Sequence, residues 1–86
     1  MASIQDVADA AYRIELSATE LSDRMLRAAE DLQVKNDELT RTIRGSRSGE
    51  DAVRQVSAAT QALKNSAAQL RSLESDIQRF ITDLTK

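Results

Sequence analysis

From Ile4 onward, apolar residues recur at alternating three- and four-residue steps. With Ile4 as position a of a heptad, the a series reads Ile4, Ala11, Ala18, Met25, Leu32, Leu39 and the d series Val7, Ile14, Leu21, Ala28, Lys35, Thr42. A 3-4 spacing held over five heptads predicts one long amphipathic helix with its seam along a and d. Lys35 and Asn36 interrupt the stripe. Two explanations stand: a lysine stem reaching out of the seam, or a polar layer that sets register. Tyr12 and Leu16 lie at b and f, one turn apart on the far side, and form a candidate partner surface.

The second half of the chain carries a stronger pattern. Val56, Leu63, Leu70, Ile77 and Leu84 recur every seven residues. Ala52, Ala59, Ser66, Leu73 and Phe80 make a second row, and Val53, Thr60, Ala67, Glu74 and Ile81 a third that Glu74 interrupts. Three rows form a face wider than a two-helix seam requires, so a further partner is expected to cover part of it.

Between the stripes lies Thr42-Ile43-Arg44-Gly45-Ser46-Arg47-Ser48-Gly49-Glu50-Asp51, which holds both glycines of the chain. Gly45 suits the left-handed position that ends a helix. Ser3-Ile-Gln-Asp6 and Ser48-Gly-Glu-Asp51 both fit the S-x-x-D capping box, in which a hydroxyl takes an orphan N–H and a carboxylate sits at the positive helix end. The expected organisation is a single domain over 1–86: a first helix over about 3–43, a turn over 44–49 marked by Ile43, Gly45, Ser48, Gly49 and Asp51, and a second helix over about 49–85. Folding the chain at 46–49 sets Leu39 on Val56, Leu32 on Leu63, Met25 on Leu70, Ala18 on Ile77 and Ala11 on Leu84, small against large.

The fold class is therefore all-α, an antiparallel helical hairpin. Each helix is about 55–60 Å long at 1.5 Å per residue, so a lone hairpin is a thin rod with little interior. A dimer forming a four-helix bundle is the expected remedy. Ile4 and Val7 overhang the end of the second helix and require cover from another chain. The expected partner interface is Ile4, Val7, Leu63, Leu70, Ile77 and Leu84, with Phe80 and Ile81 near the C-terminus and Tyr12 and Leu16 behind.

Composition narrows the function. The chain has no proline and two aromatics, Tyr12 and Phe80, which fits helices and not sheets. Cysteine and histidine are absent, so thiolate and imidazole chemistry and most metal sites are excluded. The serines have no histidine base and two glycines cannot build a phosphate loop, so no catalytic, cofactor or metal residue is expected. Twelve basic and fourteen acidic residues give a net charge of -2, no basis for polyanion binding. Arg41, Arg44, Arg47 and Arg54 cluster near the turn, but Glu50 and Asp51 offset them and no aromatic is interleaved for base stacking. Residues 1–43 carry five basic and nine acidic side chains and residues 52–86 five and three, a bias that favours antiparallel pairing. No stretch is apolar enough to span a membrane and no cleaved signal peptide opens the chain, so membrane insertion is not expected.

The hairpin resembles the WXG100 (ESAT-6-like) family: two helices of about 40 residues around a glycine-containing turn. The likeness in sequence centres on Ile43-Arg44-Gly45 and the small and polar run to Ala52, where the family carries Trp-x-Gly. Here Ile43 stands in place of the tryptophan. The family's Tyr-x-x-x-Asp/Glu export tail is replaced by Phe80-x-x-x-Leu84, with Asp83 one place early. The resemblance implies a non-enzymatic protein of a bacterial type VII secretion system, an exported substrate or a targeting partner for a larger effector. It implies a homodimer, or a heterodimer with another hairpin or an effector's N-terminal helices, cytoplasmic before export. The alternative from the residues alone is a coiled-coil adaptor or scaffold subunit with no secretion role.

Overall fold

The computed structural model describes residues 1–86. It consists of two antiparallel helices, α1 (Ile4–Thr42) and α2 (Arg47–Leu84), joined by a four-residue turn. The all-α helical hairpin expected from the periodicity is what forms.

The ends of the helices follow from local chemistry. Ser3 caps α1: its hydroxyl accepts from the Asp6 N–H at 3.0 Å, and the Asp6 carboxylate accepts from the Ser3 N–H at 3.2 Å. At the other end Ile43 donates its N–H to Leu39 O, and Gly45 follows at φ +83. A side chain in that left-handed region would crowd its own backbone, which is why glycine stands there. The second cap differs from expectation. Ser46, in extended backbone, accepts from the Gly49 N–H at 3.1 Å, and α2 begins at Arg47. Ser48 thus lies inside the first turn of α2 and Asp51 just beyond it, where Asp51 pairs with Arg54. Gly49 has a packing role instead. A Cβ there would come within 2.9 Å of the Ile43 Cβ and Cδ1, so the bare backbone makes room for Ile43.

The seam between the helices is rotated from the expected one. Buried positions in α1 are Ala8, Ala11, Ala18, Ser22, Ala29 and Asn36, which are the a row together with the e row four residues on. In α2 they are Thr60, Ala67 and Ile81, flanked by half-buried Val56, Leu63, Leu70, Ile77 and Leu84. The d row of α1 lies outside: Ile14 and Leu21 are 48% and 44% exposed, and Lys35 and Thr42 face solvent. Size accounts for the rotation. Small residues at e let the two backbones approach closely, whereas a seam on d would enclose Lys35 and Thr42 beside the turn.

The buried hydroxyls cause no deficit, because Ser22 donates to Thr19 O and Thr60 to Val56 O within their own helices. Asn36 supplies the polar layer. Its Nδ2 donates across the seam to Ser57 Oγ at 3.1 Å and Val53 O at 3.4 Å, while Lys35 turns outward to Asp31 at 2.8 Å. Asn36 is thus the interhelical contact whose direction ties α1 to one register on α2.

Candidate docking face

The rotation of the seam leaves the large d-row side chains on one flat side of the rod. Ile14 and Leu21 project there from α1, with Val7 half-buried in the same row. Leu73 and Phe80, 40% and 45% exposed, project from the adjoining row of α2. Two shallow grooves run along this side. One is lined by Arg13, Ile14, Ala18, Leu21, Leu70 and Leu73, the other by Leu21, Met25, Ser66, Gln69, Leu70 and Leu73. They share Leu21, Leu70 and Leu73 and so form one continuous apolar strip. Met25 and Leu70 line it together, as the fold at 46–49 requires.

The opposite side is mixed, with Tyr12 and Leu16 exposed among polar residues. Tyr12, Glu15, Gln78, Ile81 and Thr82 border a concavity there, and Gln78 continues the exposed row Ser57, Lys64 and Arg71. Tyr12 and Leu16, 54% and 61% exposed, therefore lie away from the apolar strip. The remaining residues expected at an interface divide between seam and surface. Leu63, Leu70, Ile77 and Leu84 are half-buried along the seam, and Ile81, 6% exposed, belongs to the hairpin's own core. Ile4 stands 64% exposed at the end of the rod. Ile14, Leu21 and Leu73 are the surface residues that the heptad reading placed inside. The signal that finds them is the e row of small residues, Ala8, Ser22 and Ala29, which offers a closer seam than d.

Charge does little inside the hairpin. The ion pairs Lys35–Asp31, Arg54–Asp51, Arg79–Asp76 and Lys86–Asp83 each join residues three or four apart along the chain and face solvent. Such exposed pairs are screened by solvent and none joins the two helices, so antiparallel pairing does not rest on direct bridges between the halves. The Lys35 ammonium is held above its ordinary value by its hydrogen bond to Asp31 and by the charge of that carboxylate. At the seam, Glu15 Oε2 and Asn36 Oδ1 are buried without hydrogen-bond partners. Near the turn, Thr40, Ile43, Arg44, Glu50, Val53 and Arg54 border an open concavity where Glu50 offsets the two guanidiniums. No group of carboxylates is placed to hold a metal ion, and no helix is long and apolar enough to cross a membrane.

Comparison with protein-family models, with curated proteins and with solved structures returned no match.

Proposed function

We propose that this chain acts by helix packing alone, as a hairpin whose apolar face docks the helices of another protein chain. The observation that carries this is the division of side chains: most of the fully buried residues are alanine, serine or threonine, while Ile14, Leu21, Leu73 and Phe80 stay on the surface. A contiguous strip of large apolar side chains is costly to leave in water and is typical of interaction sites. Residues along a helix at such spacing are read by other helices, ridge into groove.

The setting we propose is a bacterial type VII secretion system, with the chain as exported substrate or as targeting partner of a larger effector. Support comes from the likeness to WXG100 proteins: two helices of similar length, a glycine turn midway at Gly45, and an aromatic, Phe80, exposed near the end of α2. The test follows a tagged chain into the medium of a host with an intact or a disabled secretion ATPase. Export that depends on the ATPase and falls in Phe80→Ala is expected. Absence of export, or export indifferent to both changes, would sink this setting. One observation favours an adaptor with no secretion role: Ile43 is half-buried on Gly49 and presents no ring at the tip. An adaptor would keep its partner bound while never leaving the cell.

A further inference from the structure

We propose that the concavity on the Tyr12 side receives an arginine side chain presented by another protein, held by the Glu15 carboxylate and stacked on the Tyr12 ring. This goes beyond the helix packing proposed above. It concerns the side away from the apolar strip and does not depend on what covers that strip.

The first ground is Glu15. The residue is half-buried, its Oε2 is shut off from solvent with no hydrogen-bond donor against it, and none of the chain's ion pairs includes it. A cation one turn away is the ordinary remedy, but the residues three and four positions off are Ala11, Tyr12, Ala18 and Thr19. Across the seam the concavity is closed by Gln78, Ile81 and Thr82, none of them charged. An unpaired carboxylate drawn partly out of water costs folding free energy. A residue that costs stability and makes no contact to offset it within the fold points to a contact outside it.

The lining supplies the chemistry of the occupant. Besides the Glu15 carboxylate, the exposed Gln78 offers an amide oxygen. Thr82 donates its hydroxyl to Gln78 O at 3.0 Å, which leaves the Thr82 oxygen free to accept. Tyr12, 54% exposed, presents its ring, and Ile81 gives an apolar floor. Several acceptors beside an aromatic face suit a planar cation with many donors. A guanidinium lies flat on a ring while donating in a fork to a carboxylate, and a lysine ammonium has neither the plane nor the fork. Rotation about the terminal bond of Glu15 is soft, so Oε2 can turn toward such a donor.

Charge around the concavity agrees. From Ile4 to Arg24, α1 carries two basic and five acidic side chains. Asp9 and Asp23 stand exposed in the row of Leu16, seven residues to either side. A basic segment is drawn toward this end of the rod and an acidic one is repelled.

The chain has one tyrosine and one phenylalanine, and they lie on different sides of the rod, so their ring signals in nuclear magnetic resonance report separately. N-acetyl-arginine amide, added at constant ionic strength, should move the Tyr12 signals along a saturating curve while those of Phe80 stay in place. Glu15→Gln keeps the shape and removes the charge, and should weaken this binding by about tenfold or more. Its helix content, followed by circular dichroism, should be unchanged, so that lost binding is not lost fold. Asp9→Asn removes the same charge from an exposed position and should leave binding within about twofold. N-acetyl-lysine amide should bind more weakly, and the uncharged N-acetyl-citrulline amide should give no saturating shift. Absence of saturation, equal movement of Phe80, or Glu15→Gln binding as tightly as the native chain would overturn the proposal. Equal binding of the lysine or citrulline compound would overturn the assignment to arginine.

Discussion

At single positions the consequences are sharpest around the turn. Gly45→Ala forces a side chain into the left-handed region and should cost about 1–2 kcal/mol in urea unfolding. Gly49→Ala should also destabilise, but through Ile43, and trimming that residue in Gly49→Ala/Ile43→Ala should recover part of the loss. Glu15 offers the opposite sign. Its buried, unpartnered oxygen sits in a seam otherwise rich in alanine, so Glu15→Ala should raise the melting temperature, by about 1 kcal/mol in free energy. The role of Gly45 is legible in the sequence because few other residues tolerate that backbone. The capping serine is not, since Ser46 and Ser48 both stand before a helical stretch. The choice between them depends on how soon the chain can turn after Gly45, a matter of geometry that composition does not encode.

For the helices themselves, adjacent alanines separate the two possible seams. Ala29 is fully buried in the e row and Ala28 is exposed in the d row. Ala29→Leu should overpack the seam and destabilise by about 1–3 kcal/mol, while Ala28→Leu should leave the melt nearly unchanged. The reverse order would show that the seam runs along a and d. The existence, length and pairing of the helices are legible in the apolar period, and Met25 beside Leu70 follows from it. The rotation about each helix axis is not, because the a row belongs to two overlapping stripes. Hydrophobicity ranks Ile14 and Leu21 above Ala8 and Ser22. Close approach of two backbones favours the small residues, and that preference appears only when the helices are set side by side.

Taken as a whole, the hairpin keeps few residues fully buried, and all of those but Ile81 are small or polar. The broad strip from Ile14 to Phe80 supplies the apolar area that the seam lacks, provided that another chain covers it. The three-row width of α2 made the need for cover legible, but it pointed to Ile81 as readily as to Phe80. Only the seam's rotation assigns one to the core and the other to the surface. The most direct measurement is sedimentation equilibrium across a range of concentrations, with helix content followed by circular dichroism, on the native chain and on Leu21→Asp/Leu73→Asp. The expected result is a two-chain mass for the native protein and a 9.5 kDa helical monomer for the variant. A native chain that stays monomeric at every concentration and melts cooperatively at a concentration-independent temperature would contradict it.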